Sequence, residues 1–364
     1  MKNVSLKFAL IATLALTVAS AQTAPTPAGD RLGGGFNGPQ GVLVGPDGVY
    51  VIDSGVGGDA TINVRSPEGT VGPAKFGESA RVVRVAPDGT QTVIATLPSL
   101  LGGMEAVGGA RLAWLGNTLY ATSGDWSEAN EGSRPAKMSA VVRLEGGSAT
   151  EVANTWDLEA TRNPDGYEKY SHPYAMAAGP DGKLWVADAG ANNLLRVDPA
   201  SGVVELVAVM PAQPSAQANP GRGGKSESDA VPTGLAFGDD GSAYVALLPG
   251  SFMPEAAKVY RVSGAGEVSE YAGGLSTVTD LRRGPDGNLY ATQLGQFGEQ
   301  GPVPGSGSVV RVVPGGKPEV VISGLTLPSS LDFNADGDVY VVTGALGAPG
   351  SGELMVFKGV AAKK

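Results

Sequence analysis

The chain has 364 residues, with 56 glycines, 26 prolines and no cysteine, and its formal net charge at pH 7 is −10. The lack of thiols excludes disulfides and thiolate metal sites, and the acidic balance argues against nucleic acid and anionic lipid as partners, because phosphate groups bind clustered cations. Charged residues make up only 17% of the chain and apolar residues 42%, which favours a turn-rich folded protein over a coiled coil or a disordered tail.

The N-terminal segment 1–21 has the pattern of a signal peptide. Two lysines come before an apolar run at 8–18, and residues 19–21 (Ala-Ser-Ala) form a small-x-small cleavage site. A membrane anchor is the weaker alternative, because the run has about half of the ~20 residues needed to cross a bilayer. We therefore expect cleavage after this segment, a short linker at 22–27, and export to the periplasm, the cell envelope or the medium.

The rest of the chain contains six copies of one pattern, a turn followed by an apolar residue, an aromatic residue and further strand-forming residues. Most turns read Gly-Pro-Asp-Gly or a variant of it. Such turns suit tight hairpins, because glycine accepts positive φ and the aspartate side chain can bond its own backbone. The aromatic residues of the six copies are Tyr50, Tyr120, Trp185, Tyr244, Tyr290 and Tyr340.

A further strand pattern follows each aromatic residue. In five copies its centre is an arginine, and we expect these arginines to bridge neighbouring units. They are Arg84, Arg143, Arg196, Arg261 and Arg311. Another turn and another β-rich run usually complete the unit, which gives four short strands. Such repeats predict an all-β fold, a six-bladed β-propeller with four antiparallel strands per blade over 28–360 and a C-terminal tail at 361–364.

The two ends of the chain predict how the ring closes. The sixth unit stops at residue 360 after its third strand, whereas the first unit begins with the end of an outer strand that has no unit before it. We therefore predict that the N-terminal segment from Asp30 to Gly33 supplies the missing strand of the sixth blade. This pairing would tie the chain ends together and remove an open sheet edge.

The long irregular insertions all fall on one side of the predicted ring, which we call the loop face. The tight Asp-Gly turns fall on the other side. Long loops without secondary structure are more often functional than short connections. The insertions are 54–79, 97–109, 124–137, 155–173, 211–232, 249–257 and 295–307. We therefore expect a binding site on the loop face around the central channel.

At one position of the innermost strand, the residue type in one unit differs from that in the other five units. Five units carry a small residue there, as expected where strands converge on an axis: Gly41, Ala110, Ala175, Gly234 and Ser330. The remaining unit carries Asp280. A carboxylate at this crowded position needs a cation or hydrogen-bond donors, such as Arg282 or a loop amide. Asp280 is therefore either a structural capping residue or part of a ligand or metal site.

Other polar residues stand at the top of the second strands on the same face. The position three residues after the aromatic holds Asp53, Asp188 and Gln293 in three units. Asp53 and Asp188 could join Asp280 as oxygen ligands of Ca²⁺ or Mg²⁺. The chain has no cysteine and a single histidine, so carboxylates are its main metal-binding side chains. Two carboxylates between units could add to the cluster, Glu105 and Asp229. Each carboxylate taken singly can equally be a turn or loop cap.

His172 is the single histidine of the chain and precedes Pro173 on the loop face. It could shuttle protons near pH 7. One histidine cannot form a two-histidine metal site, and the chain has no Gly-x-Ser-x-Gly nucleophile motif, so a structural or ligand-contacting role is favoured. The residues predicted to contact a ligand are Asp280, His172, Gln293, Glu105 and Asp229.

Several loop and strand segments resemble a known family. They are 163–166, 173–179, 187–198, 229–234 and 258–262. With the repeated turns and Val-x-Arg-Val strands, they resemble the NHL-like six-bladed propellers and, more closely, the ScyD/ScyE family of exported propeller proteins, named from a cyanobacterial sunscreen-pigment cluster. The resemblance covers essentially the whole chain after residue 21. It implies an exported propeller and little about activity.

Two functions from different classes remain. The first is a non-catalytic propeller, acting as a monomer, that binds a small molecule, a glycan or a protein through the loop face. The second is a hydrolase or lyase resembling the gluconolactonase-type propellers, in which an axial Ca²⁺ polarises a lactone carbonyl and a carboxylate acts as base. Asp280 with Asp53 or Asp188 matches only part of the ligand set that this resemblance implies, which favours the binding function.

Overall fold

The computed structural model describes residues 28–65, 71–103, 105–298 and 301–363. The predicted signal peptide at 1–21 and linker at 22–27 lie outside these residues. Strands make up nearly all of the regular structure in the described ranges, and no helix there is long and apolar enough to cross a membrane. The prediction of an all-β fold is confirmed.

The described elements are two short helical segments and a series of strands. The helical segments are α1 (Trp156–Arg162) and a 3-10 turn (Pro220–Arg222). The first strands are β1 (Gly29–Phe36), β2 (Pro39–Gly45), β3 (Gly48–Asp53), β4 (Ala60–Arg65), β5 (Val71–Val85), β6 (Gln91–Gly102), β7 (Glu105–Val107), β8 (Gly109–Leu115), β9 (Thr118–Ser123), β10 (Trp126–Ser127), β11 (Ala140–Glu145) and β12 (Ser148–Asn154). The next are β13 (Tyr170–Ser171), β14 (Pro173–Ala178), β15 (Leu184–Asp188), β16 (Asn193–Val197), β17 (Val204–Val209), β18 (Gln213–Asn219), β19 (Lys225–Ser228), β20 (Pro232–Phe237), β21 (Ala243–Leu247), β22 (Ala257–Val262) and β23 (Val268–Leu275). The last are β24 (Val278–Arg283), β25 (Leu289–Gln293), β26 (Phe297–Gly298), β27 (Gly301–Pro302), β28 (Gly307–Arg311), β29 (Glu319–Leu325), β30 (Ser330–Phe333), β31 (Val339–Thr343) and β32 (Gly352–Phe357).

Six antiparallel sheets contain most of these strands. Sheet 1 is formed by β2, β3, β5 and β6, with β4 and β7 added by its insertions; sheet 2 by β8, β9, β11 and β12; sheet 3 by β14 to β17; sheet 4 by β20 to β23; sheet 5 by β24, β25, β28 and β29; and sheet 6 by β30, β31, β32 and β1. In the described part of the chain, two-stranded ribbons in the long insertions account for the other strands.

The inner strands of the six sheets, β2, β8, β14, β20, β24 and β30, contact one another in this order, and β30 contacts β2 again. The sheets therefore surround a common axis. The hydrophobic core follows the same arrangement, because six clusters of buried side chains each lie between two consecutive sheets. Each sheet thus buries its faces against its two neighbours.

The aromatic residue of the repeat binds the aspartate of the turn before it. Tyr50 Oη donates to Asp47 Oδ1 at 2.6 Å, and Tyr290 Oη donates to Asp286 Oδ2 at 2.8 Å. Burial and the neighbouring Asp47 raise the pKa of Tyr50 to about 12. The spacing between aspartate and aromatic residue therefore closes these hairpins with a hydrogen bond across the turn.

The repeated arginines do not bridge neighbouring sheets as predicted, because they pair within their own sheet. Arg84 lies 2.8 Å from Asp47, and Arg261 lies 2.6 Å from Asp240. The reason is geometric, since the turn of the first hairpin and the arginine of the third strand lie at the same end of one sheet. The side chains are partly exposed, so each pair contributes little to stability.

The N-terminal strand β1 forms the outer strand of sheet 6. It pairs antiparallel with β32, so the segment that the sequence predicts to close the ring lies beside the last strand of the chain. Phe36 of β1 is buried between sheets 6 and 1. At the other end, Ala361, the first residue of the predicted tail, is buried between sheets 5 and 6.

Removing β1 is expected to destabilise the whole ring. A chain that begins at residue 38 loses the pairing with β32 and the buried Phe36, whereas a control chain that begins at residue 28 keeps both. We expect the shorter chain to unfold at a clearly lower temperature in circular dichroism. Equal melting temperatures would show that the ring does not need this pairing.

Candidate functional site

Strand pairing shows that Arg111, and not Ala110, occupies the position predicted for a small residue. In sheet 3, Ala175 lies two residues before the strand partner of Trp185. In sheet 2, the residue two before the strand partner of Tyr120 is Arg111. The prediction of Ala110 is wrong because Arg111, like Gly41 of sheet 1, lies nine residues before the aromatic residue of its sheet, whereas the equivalents in the other four sheets lie ten residues before it.

Arg111 and Asp280 hold equivalent positions in sheets 2 and 5, on opposite sides of the axis. Their side chains are 0% and 1% exposed, and Nε of Arg111 lies 3.4 Å from Oδ1 of Asp280. Burial alone would lower the pKa of Arg111, but Asp280 and Tyr174 outweigh burial and raise that pKa above its ordinary value. A buried ion pair therefore crosses the ring axis.

Backbone carbonyl groups surround the Arg111 guanidinium, and we call them the axial crown. Nη1 donates to the carbonyls of Gln40 and Ala110, and Nη2 donates to those of Thr279 and Ser329. The ring of Tyr174 covers the guanidinium at 4.5 Å. With the crown from sheets 1, 2, 5 and 6 and the tyrosine from sheet 3, one side chain contacts five of the six sheets.

Asp280 has the donors that its position requires. Ser330 Oγ donates to its Oδ2 at 2.5 Å, and the Leu281 N–H donates to its Oδ1 at 2.9 Å. Arg282, the partner suggested by the sequence, lies 3.5 Å away through Nε. The sequence did not indicate Arg111 as the partner of Asp280. The two positions become equivalent only when the strand partners of the aromatic residues are compared. The carboxylate is thus held as a structural counter-ion.

Asp53, Asp188 and Gln293 share one structural role. Each accepts a hydrogen bond from a backbone N–H of the connection that leads into its own sheet. The bonds are Asn37 N to Asp53 Oδ2 at 3.1 Å, His172 N to Asp188 Oδ1 at 2.6 Å and Ser276 N to Gln293 Oε1 at 2.7 Å. These side chains therefore hold the chain in place just before it enters the inner strand.

The structure does not bring Asp53, Asp188 and Asp280 together as ligands of one metal ion. Asp53 pairs with Arg81 at 2.6 Å, and Asp188 accepts four hydrogen bonds, one from Ser171 Oγ and the others from backbone amides. Within the residues that the structure describes, no group of three or more His, Cys, Asp or Glu side chains is placed to hold a metal. These donors do not fit the Ca²⁺ or Mg²⁺ ion considered from the sequence.

Three aromatic rings lead away from the axis toward the loop face, and we call Tyr174, His172 and Tyr170 the aromatic ladder. Tyr174 covers Arg111, the His172 ring meets the Tyr174 ring edge-on at 5.4 Å, and the Tyr170 ring lies 6.3 Å from that of His172. The three residues are half-buried. The ladder therefore presents amphipathic rings at the mouth of the ring.

Hydrogen bonds and charges fix the two ends of the ladder. Tyr174 Oη donates to Gln40 Oε1 at 2.8 Å, and Tyr170 Oη donates to Asp125 Oδ2 at 2.7 Å. Burial, then Asp125 and then the exposed Glu105 raise the pKa of Tyr170 well above its usual range. Of the residues predicted from the sequence as ligand contacts, Glu105 thus acts on the outer end of the ladder and His172 is its middle ring.

Asp229 belongs to a different polar cluster. Its Oδ1 lies 2.7 Å from Arg222 Nη2 and 3.4 Å from Asn192 Nδ2. Arg222 in turn covers the Tyr167 ring at 4.1 Å. The residues predicted as ligand contacts are therefore not all in one place: Glu105 and His172 are at the ladder, while Asp229, Asp280 and Gln293 bind other side chains or backbone groups.

A buried carboxyl group that the sequence did not single out lies behind the ladder. Glu159 in α1 is 1% exposed. Burial, with smaller contributions from Asp188 and Asp165, raises the pKa of Glu159 to about 8, against the opposing effects of the Tyr170 backbone and Lys169. Glu159 is therefore mainly protonated at pH 7. In the sequence, the burial of Glu159 is indicated only by its position between the apolar residues of a short helix.

Replacing Glu159 by Gln should remove a pH dependence of stability. Between the ordinary value of 4.5 and the raised value of about 8, the folded chain holds a proton that the unfolded chain has released, so stability falls as pH rises through this range. Glu159→Gln should lose this slope, whereas Asp157→Asn, at an exposed position of the same helix, should keep it. Urea midpoints across the range test this, and an unchanged slope in Glu159→Gln would contradict it.

Breaking the axial ion pair should cost more than breaking an exposed one. Arg111→Met leaves the buried Asp280 with Arg282, 3.5 Å away, as its remaining cationic neighbour, so we expect a loss of about 3 kcal/mol in the free energy of unfolding, at the lower end of the cost of breaking a buried pair. The double variant Arg111→Met/Asp280→Ala should lose less than the sum of the single changes. The same cycle at the partly exposed Arg84 and Asp47 should give a coupling of about 0–1 kcal/mol. Additive losses at the axis in urea denaturation would count against the pair.

No protein-family model matches the chain, and no curated protein matches it in sequence. Solved structures do match in fold. A structural-genomics protein assigned as a gluconolactonase is 14% identical with a TM-score of 0.52, covering 94% of this chain and 96% of its own. The PQQ-bound aldose sugar dehydrogenase of Streptomyces coelicolor is 15% identical with a TM-score of 0.52, covering 92% and 99%. The calcium-binding protein regucalcin of Agrobacterium tumefaciens is 13% identical with a TM-score of 0.52, covering 93% and 95%. At these identities the likeness concerns the fold: the chain is a β-propeller.

Proposed function

We propose that this chain is an exported, monomeric six-bladed β-propeller that binds a small polyhydroxylated molecule, of the size of a sugar or a sugar lactone, at the mouth of the ring on the loop face. The observation that carries the proposal is the aromatic ladder of Tyr174, His172 and Tyr170. Its half-buried rings lie beside the axis and have carboxylates next to them, as binding sites for small polar molecules commonly do.

The six-blade arrangement is supported by the closed circle of inner strands and by the core clusters between consecutive sheets. In this arrangement the ring spans 28–360, after a signal peptide at 1–21 and a linker at 22–27. The ScyD/ScyE resemblance remains part of the proposal and rests on the loop segments before the third and fourth units. These segments, 163–166 and 229–234, each contribute a carboxylate to one polar cluster, because Asp165 and Asp229 both accept a hydrogen bond from Asn192 Nδ2.

The residues of the ladder suit a ligand with both hydroxyl groups and apolar C–H faces. Tyrosine and histidine rings combine an apolar body with a polar tip, so they pack against carbon atoms and still accept or donate hydrogen bonds. Asp125 and Glu105, at the outer end, can accept hydrogen bonds from ligand hydroxyls. We prefer this ligand class to a protein or a long glycan because the polar and aromatic groups converge on one small area.

The alternative is a lactonase-like hydrolase that uses the same mouth. It is supported by the fold likeness to a protein assigned as a gluconolactonase, and the sugar dehydrogenase supports the same class of ligand. In this reading His172 would take the proton of the attacking water. An axial Ca²⁺, as the sequence-based alternative expects, would compete with the Arg111 guanidinium for the same acceptors.

A panel of aldoses and aldonolactones tests both readings. We expect at least one of them to bind the intact protein in calorimetry, and His172→Ala to weaken binding about tenfold, ~1.4 kcal/mol, because a packed ring is lost. Phe252→Ala, at another loop of the same face, is the matched control and should bind normally.

Turnover distinguishes the two readings. Hydrolysis of a lactone that is lost in His172→Ala would select the enzyme over the binding protein. If none of the compounds binds or reacts, or if the two variants behave alike, the proposed ligand class is wrong.

A further inference from the structure

The axial crown has the donor set of a cation site. Carbonyl oxygens from four residues, Gln40, Ala110, Thr279 and Ser329, point at one place on the axis, and the Asp280 carboxylate stands beside it. Backbone carbonyls and carboxylates are the ligands that hard cations such as Ca²⁺ take in proteins. In this chain the place is filled by the guanidinium of Arg111.

The equivalent positions of the other sheets show that the inner strands do not need a long side chain there. They hold Gly41, Ala175, Gly234 and Ser330 besides Asp280. Arg111 thus stands where four of the other five sheets have a small residue, and it pairs with Asp280, the carboxylate at the equivalent position of sheet 5. The charge of Asp280 and the carbonyl dipoles both favour a positive charge on the axis, which an apolar side chain of similar volume would not supply.

We propose that the axial crown and Asp280 form a cation-binding site whose occupant is the protein's own Arg111 side chain, and that a small free cation binds there once the guanidinium is removed. The inference does not depend on the proposed ligand of the loop face, because it rests on the crown carbonyls and the Asp280 carboxylate, which are not groups of the aromatic ladder.

Arginine suits this role better than a bound ion for a physical reason. Its guanidinium is planar and more weakly hydrated than an ammonium group, and it offers five N–H donors in a fixed arrangement. The four N–H groups of Nη1 and Nη2 donate hydrogen bonds to the crown carbonyls, and Nε lies 3.4 Å from Asp280 Oδ1. A tethered cation also cannot dissociate, so the axis stays occupied whatever the ion concentration outside.

The experiment removes the guanidinium and supplies a free cation. Arg111→Ala introduces the residue that sheet 3 has at the equivalent position, Ala175. We expect its melting temperature to be lowered in sodium chloride and to rise again in millimolar guanidinium chloride or calcium chloride at the same ionic strength. The unchanged protein should not be stabilised by either salt, and calorimetry should detect saturable binding to the variant alone.

A second variant separates cation binding from packing. Arg111→Ala/Asp280→Ala keeps the crown but loses the carboxylate, so its rescue by either cation should disappear. If Arg111→Ala does not fold, refolding yields with and without guanidinium provide the same comparison, and Arg111→Lys should be more stable than Arg111→Met. Failure of both cations to restore or bind Arg111→Ala, or equal stability of the Lys and Met variants, would overturn the proposal.

Discussion

A guanidinium buried without water must find an acceptor for each of its N–H groups, and this requirement couples the sheets at the axis. Arg111 meets it at Nη1 and Nη2 with carbonyls from sheets 1, 2, 5 and 6, whereas its Nε makes an ion pair with Asp280 at 3.4 Å but no hydrogen bond. The carbonyls are backbone groups, so their directions depend on where each inner strand lies. A shift of one sheet would leave a buried donor or acceptor without its partner, which is costly in a low-dielectric interior. The position of one side chain therefore constrains the register of most of the ring.

Much of the fold could be predicted because the same turn-and-strand pattern occurs six times in the sequence. Asp280 could be recognised because it is a charged residue at a position where the pattern has small residues. Its partner Arg111 could not be recognised, since the spacing between the inner-strand position and the aromatic residue differs by one residue between sheets and the sequence does not say which strands face each other across the axis. The repeat places Asp53, Asp188 and Gln293 at equivalent positions. Their shared role depends on backbone N–H groups of the preceding connections, which only the folded chain brings near.

Neighbouring inner strands contact each other in different ways around the axis. Val42 N–H donates to Ser330 Oγ at 3.2 Å, and Val44 N–H donates to Asp332 Oδ2 at 2.7 Å, so side chains of sheet 6 bond to the backbone of sheet 1. Elsewhere small residues let the inner strands approach closely: a Cβ at Gly234 would lie 2.5 Å from Leu281 N, and a Cβ at Gly41 would lie 2.5 Å from Ala110 O. The inner strand of sheet 3 instead brings the ring of Tyr174 to the axis.

The pairing of β1 with β32 joins strands from the two ends of the described chain. During synthesis β1 is made long before β32, so sheet 6 cannot form until the strands between them have also been made. Contacts of this sequence separation slow folding, and an unpaired strand edge meanwhile invites association with other chains. A helper that shields nascent strands would therefore act on this protein mainly through the interval between the emergence of β1 and that of β32.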